Sequence, residues 1–151
     1  MKCGYYNSPI GVIRIKEEDG YITSVDFVDR LEEDDESYEI SRCKIQIEEY
    51  FNGKRKRFDI KTKYSIGTDF QRRVWDKLIE IKYGETASYK DMAIKIGNGK
   101  ASRAVGGANN KNPLMIIVPC HRVVGSNGKL VGYAGGIDKK EYLLELEKKY
   151  K

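Results

Sequence analysis

The 151 residues include one histidine (His121), one tryptophan (Trp75), three prolines and three cysteines. A structural zinc site takes about four Cys or His ligands at short paired spacings. Scattered Cys3, Cys43 and Cys120 with one histidine cannot supply that pattern, so no metal is expected. An odd number of distant cysteines also excludes a disulfide framework and points to reduced thiols. No apolar run approaches the roughly 20 residues of a membrane helix. Residues 1–11 have no apolar stretch of the kind found in secretory signals, so a cytoplasmic protein is expected. A hydrophobic share of 40% is enough to build a core and excludes a disordered chain. The length suits one medium domain or two small ones.

Charge is present in quantity and unevenly placed. Residues 1–67 hold 12 basic and 14 acidic side chains, whereas residues 68–151 hold 16 basic and 9 acidic ones. Between Lys82 and Tyr133 eight basic residues face only Glu85 and Asp91. A basic region of this kind attracts polyanions, nucleic acid foremost, although a solvated lysine-rich surface looks the same by composition.

The first half reads as a small α+β unit. Residues 11–16 alternate and lead into Asp19-Gly20, a hairpin signal, after which Tyr21, Thr23, Val25 and Phe27 alternate as the next strand. Residues 31–39 are acidic and read as a solvated loop. Ile40, Cys43, Ile47, Tyr50 and Phe51 fall on one helical face that Gly53 ends. A basic knot at residues 54–57 precedes a short expected strand at 58–60, and residues 61–67 read as a linker.

The second half opens with Thr68 and Gln71 in a capping-box pattern. In the helix that follows, Phe70, Val74, Leu78 and Ile81 share a side and Trp75 packs beside them; Gly84 breaks it. Ser88, with Asp91 three residues on, caps a helix over 89–96. Gly97-Asn98-Gly99 makes a tight turn, and another helix is expected over 101–109. Two short helices joined by such a turn form a helix-turn-helix. The second is almost all small residues around Arg103. Its paired Gly106 and Gly107 cost about 1 kcal/mol each in a helix. Either another element packs closely there, or the helix presses against a nucleic-acid backbone with Arg103 projecting.

The apolar residues 114–118 read as a buried extended segment ending in Pro119-Cys120-His121-Arg122. A cysteine beside the only histidine is a candidate nucleophile, because the thiolate is the reactive species and a neighbouring base can form it. The alternative is a buried structural thiol. In an extended chain adjacent side chains diverge, so Cys120 and His121 need a turn or a bridging water to cooperate. A third group must orient the imidazole, and Glu141, Glu145 and Glu147 on the C-terminal helix are the candidates.

Pro119-Cys120-His121-Arg122-Val123-Val124, after Asn112-Pro113 and before Gly132-Tyr133-Ala134-Gly135-Gly136, resembles the O6-alkylguanine-DNA alkyltransferases, the methylated-DNA–protein-cysteine methyltransferases. Thr68-Asp69-Phe70-Gln71-Arg72-Arg73-Val74-Trp75, Tyr83-Gly84-Glu85-Thr86-Ala87-Ser88-Tyr89 and Ser102-Arg103-Ala104-Val105-Gly106-Gly107-Ala108 are similar to the same family in the same order. Ser8-Pro9-Ile10-Gly11 and the segment from Glu48 to Arg55 fit its N-terminal domain, so the resemblance spans nearly the whole chain.

The resemblance implies an α+β protein. Residues 1–66 would form a small ribonuclease H-like supporting domain with an antiparallel sheet and a helix. Residues 67–151 would form a mainly helical domain with a winged helix-turn-helix. It implies repair of double-stranded DNA by a monomer without cofactor. The alkyl group of O6-alkylguanine, and more weakly of O4-alkylthymine, would pass irreversibly to Cys120. His121 would be the base acting through a water, Glu147 its orienting carboxylate, and Asn112 the residue holding the active-site turn. Tyr89 would help rotate the nucleotide and donate to guanine N3. Arg103 would fill the gap in the duplex, with Lys90, Ala101, Ser102 and Ser126 also on DNA. Val123, Tyr133, Ala134 and Met115 would line the pocket. Ala134 stands where many relatives have serine, and Met115 where proline is common. A non-catalytic relative that flags lesions is the alternative, but such proteins typically lack the cysteine.

Overall fold

Asp19 and Gly20 have φ of 53° and 83°. Positive φ at both central residues is what a two-residue hairpin of matching twist demands, and Asp-Gly meets it at low cost. This turn joins β2 (Gly11–Glu18) to β3 (Tyr21–Val28) in the computed structural model, which describes all 151 residues. A further strand, β1 (Lys2–Ser8), pairs antiparallel with β2 and completes a sheet of order β1-β2-β3. Its sequence has no β-branched alternation, so only the pairing reveals it. On β3 a register shift opposite Lys16 and Glu17 turns Ile22 inward with Thr23 and Val25, and leaves Tyr21 outside.

Helix α1 (Tyr38–Phe51) buries Ile40, Cys43, Gln46, Ile47, Tyr50 and Phe51. Ser37 caps it by accepting from the Ile40 amide. Desolvation raises the buried Cys43 thiol to about 12, the behaviour of a core thiol.

One expectation gains a detail here and another is corrected. The acidic stretch before α1 is an exposed loop, as expected, and it also pairs: Asp35 exchanges bonds with the Cys3 backbone (2.8 and 2.9 Å) and Asp34 accepts from the Tyr5 amide at 2.9 Å. It thereby covers the free edge of β1. Residues 58–60 form no strand, because Gln46 satisfies the Asp59 backbone instead, accepting at 2.8 Å and donating at 3.1 Å. The expected linker also works as structure: Thr62 bridges Ile22, with bonds of 2.7 and 3.2 Å to the backbone of Lys61 and Lys63.

The chain divides into two compact units, Met1–Ser65 and Ile66–Lys151. The second is held by short helices. Helix α2 (Asp69–Leu78) begins with the Thr68–Gln71 capping box and ends before Ile81, which is buried in the following turn. Trp75 is fully buried and its indole N–H donates 2.8 Å to the Ala108 carbonyl. Strand β4 (Ala87–Ser88) leads into α3 (Tyr89–Lys95), capped reciprocally by Ser88 and Asp91, and then comes α4 (Ser102–Asn110). Helices α3 and α4 form the helix-turn-helix, with Arg73 donating 2.6 Å to the Ile96 carbonyl at the end of α3. Strand β5 (Val123–Val124) pairs parallel with β4, Ala87 beside Val123 and Ser88 beside Val124, which ties the residues that follow the Cys120–Arg122 turn to those that lead into α3. Helix α5 (Ile137–Tyr150) ends the unit. No helix is long and apolar enough to cross a membrane.

The glycine pair of α4 does not mark packing against another backbone. A Cβ at Gly107 would meet nothing within 4 Å, and one at Gly106 would only touch the Tyr89 ring at 3.7 Å. Arg103, Ala104, Gly107 and Asn110 form the outward face, while Val105, Ala108 and Asn109 are buried.

Gln46→Leu would leave the Asp59 amide without its partner and its carbonyl with Arg42 alone. Equilibrium urea unfolding should show a loss of about 1–3 kcal/mol.

Candidate active site

Leu114, Met115, Ile116 and Val118 are buried as expected and Ile117 is half-buried, but the segment is not extended. It coils: the Val118 amide donates 2.8 Å to the Leu114 carbonyl and the Ile117 amide 2.8 Å to Met115. Ile116 adopts φ of 73°, a left-handed conformation that a β-branched residue holds only when its surroundings impose it. Asn112 is what imposes it. Its Nδ2 donates to the carbonyls of Val118 (2.8 Å) and Leu114 (3.4 Å), and its Oδ1 accepts from the Leu114 amide at 2.9 Å. A side chain thus does the work of a backbone ladder, and the chain turns instead of running straight.

The coil delivers Pro119 to a single 3₁₀ turn, Cys120–Arg122. The turn replaces the extended geometry in which adjacent side chains point to opposite sides. Cys120 is 3% exposed and His121 is fully buried. His121 Nε2 lies 2.6 Å from Glu147 Oε2. The carboxylate can only accept, so it fixes the tautomer with the proton on Nε2 and leaves Nδ1 with its lone pair. Desolvation lowers the imidazole's affinity for a proton more than Glu147 raises it, so His121 is held neutral.

Sequence reasoning missed the residue that makes Glu147 tolerable in the interior. Arg122 clamps it with two bonds, Nε to Oε1 at 2.8 Å and Nη2 to Oε2 at 3.0 Å, and gives Nη1 to the Ile81 carbonyl at 2.6 Å. The Gly84 amide adds 3.1 Å to Oε1. Gly84 has φ of 78°, and a Cβ there would meet Lys151 Cγ at 2.8 Å, so glycine is required for this approach. Burial pushes the Glu147 carboxyl up, but His121 and Arg122 overcome it and hold the group well below the usual carboxylate range.

Helix α5 supplies a second missed group. Lys140 lies on the stripe of Leu143 and Glu147 and is itself fully buried. Its ammonium donates to the carbonyls of Val131 (2.9 Å) and Gly132 (3.2 Å). Desolvation lowers it to about 8, against the opposing effect of Cys120. Tyr89 donates to the same Val131 carbonyl at 2.9 Å. Burial raises the Tyr89 hydroxyl, as does Cys120. Burial likewise pushes the Cys120 thiol up to about 11, against the Asn112 amide and the Lys140 charge.

The structure therefore gathers Cys120, His121, Glu147, Asn112 and Tyr89. Val123 and Tyr133 are buried near them and Met115 is buried in the coil, whereas Ala134 is exposed. Arg103, Lys90 and Ser126 lie exposed, and Ala101 and Ser102 are half-buried where α4 begins. No group of three or more His, Cys, Asp or Glu side chains is arranged to hold a metal ion.

Two family models match the chain: 6-O-methylguanine DNA methyltransferase, DNA binding domain, over residues 69–149, and its ribonuclease-like domain over residues 1–64. The chain belongs to the 6-O-methylguanine DNA methyltransferase family. Within that family it is 50% identical to the methylated-DNA–protein-cysteine methyltransferase of Methanosarcina acetivorans over 157 residues, covering 97% of this chain and 98% of that one. The Mycobacterium leprae protein of the same name is 42% identical, with 98% and 93% covered. The crystal structure of Mycobacterium tuberculosis OGT in complex with DNA superposes with a TM-score of 0.92 at 42% identity, covering 99% of this chain and 94% of that one.

In this member of the 6-O-methylguanine DNA methyltransferase family, Arg122→Met strips Glu147 of two bonds and leaves a buried charge. Urea unfolding should register a loss of about 3–5 kcal/mol. Acid should act through the same group. The folded His121 binds a proton less readily than the unfolded one, so stability falls as pH drops below the unfolded value of about 6.5. Glu147, depressed in the fold, adds a further loss only below its unfolded value of about 4.3. Urea midpoints measured from pH 7 to 5 should decline, and His121→Gln should flatten that decline.

Proposed function

We propose that this protein repairs alkylated duplex DNA by one irreversible transfer of the alkyl group from guanine O6 to Cys120 Sγ. The observation that carries the reading is the Cys120–Arg122 turn. It joins a buried thiol to a neutral imidazole whose other nitrogen is bound 2.6 Å from Glu147. His121 takes the thiol proton through a water, and the imidazolium so formed is stabilised by Glu147. The thiolate attacks the alkyl carbon in line, the carbon–O6 bond breaks, and guanine leaves with the bonding pair. A thioether has no carbonyl for water to attack, so the protein turns over once.

Guanine O6 is inaccessible within a stacked pair, so the nucleotide must be rotated out, at a cost of a few kcal/mol. Arg103 on the outward face of α4 fills the gap. Gly107, open to solvent, lets the helix backbone approach the duplex closely. Lys90, Ala101, Ser102 and Ser126 contact the strands, largely through phosphate, so sequence preference is slight. Tyr89 exchanges its bond to the Val131 carbonyl for guanine N3 and neutralises the leaving base. Val123, Tyr133, Ala134 and Met115 surround that base. Asn112 keeps the nucleophile in place. The protein acts as a monomer in the cytoplasm, and O4-alkylthymine is a poorer substrate.

Intact-mass measurement with duplex DNA carrying one O6-methylguanine tests this. The expected result is a gain of one methyl group (about 14 Da) on Cys120, saturating at one per chain. Cys120→Ala should abolish the gain while DNA binding persists. Tight lesion binding without any gain would identify a lesion-flagging protein instead.

A further inference from the structure

Asn109 has no part in the chemistry above, yet its buried amide is applied to the peptide that joins nucleophile and base. It lies in the last turn of α4, is 2% exposed, and donates from Nδ2 to the Cys120 carbonyl at 3.2 Å. A carbonyl only accepts, so this bond settles which end of the amide faces it. Asn109 Oδ1 then lies the width of one amide from that contact, buried and without a protein donor. His121 Nδ1 is likewise buried without a partner. With the Nε2 proton given to Glu147, Nδ1 is an acceptor. Two acceptors cannot satisfy one another. A water can satisfy both, having two protons to give, and still accept a bond from a thiol. Buried waters typically make about three such bonds.

We propose that Asn109 is a positioning residue for Cys120 ionisation: its Oδ1 and His121 Nδ1 together hold the water that takes the Cys120 proton. The Sγ–H bond breaks and its electron pair stays on sulfur. The water receives that proton and passes one of its own to Nδ1. Its other proton stays on Asn109 Oδ1 throughout, so the water is recovered and cannot rotate out of line. The peptide carrying both residues is held by the same amide, through Nδ2. The titratable groups that act on Cys120 are Lys140 on α5, Tyr89 on α3 and Tyr133 on the loop before α5, beside the Asn112 amide; those that act on His121 are Glu147, Arg122 and Lys140. A change at Asn109 alters the charge of none of them.

The inference rests on the alkyl-transfer reading for the identity of the nucleophile, but its test does not need an alkylated base. Alkylation of Cys120 by iodoacetamide, located by peptide mass, is followed against pH for the unaltered protein, Asn109→Leu and Asn109→Ala. Leu keeps the volume and removes both polar ends. Ala leaves room for a second water to replace Oδ1. The expected result for Leu is a midpoint raised by about one pH unit and methyl transfer slowed roughly 10-fold at neutral pH, with DNA affinity kept. Ala should recover part of the shift. A lower urea midpoint with an unchanged pH midpoint would make Asn109 a structural clasp and overturn the proposal. If Leu does not fold, Ala decides: a raised midpoint supports the relay and an unchanged one overturns it. Failure of the unaltered protein to gain a methyl group would overturn the alkyl-transfer reading and leave the iodoacetamide comparison standing.

Discussion

A single carboxylate, Glu147, organises the functional unit. Removing such a group from water costs several kcal/mol unless every oxygen is bound. Here Oε1 takes Arg122 and the Gly84 amide, and Oε2 takes Arg122 and His121. These bonds fasten two stretches of chain to α5, the turn of the nucleophile through His121 and Arg122 and the Gly84 corner, and Arg122 ties Ile81 to the same cluster. The arginine balances the charge, so the imidazole can stay neutral and keep a free lone pair. Were the histidine the sole counter-charge, it would be driven toward the imidazolium and lost as a base.

Around that centre the architecture is an arrangement of turns more than of regular elements. The coil over 114–118 depends on Asn112, and the 3₁₀ turn that follows is anchored by the two-residue pairing of β4 with β5. This pairing links the reactive turn to the first residue of α3, and hence to Tyr89, while α4 runs its exposed face outward from the same unit. Chemistry and DNA approach thus share a short path through the chain, from Ser88 through Asn110 to Val123.

Much of this was legible in the residues. Capping boxes at Thr68 and Ser88 depend on local spacing, and both formed. The Asp19-Gly20 hairpin and the pairing of a lone histidine with Cys120 and Glu147 also followed from residue chemistry and resemblance. What escaped was non-local. The strand β1 has no pattern of its own and exists because β2 pairs with it. An apolar run such as residues 114–118 reads as extended until one asparagine captures its carbonyls. Arg122 looked like a basic residue on a basic surface, and only its partner explains its burial. Lys140 carried a usable signal: it sits three and seven residues before Leu143 and Glu147, on one helical stripe.

The covering of the sheet in the first unit has a consequence for handling the protein in bulk. A protein consumed by each transfer is needed in numbers matching the damage. Unpaired strand edges would make such a population prone to edge-to-edge growth. Here Asp34 and Asp35 occupy one edge and residues 61–63 the other. The amides of Cys3 and Tyr5 on the first margin and the backbone of Ile22 on the second are thereby withheld from a second molecule.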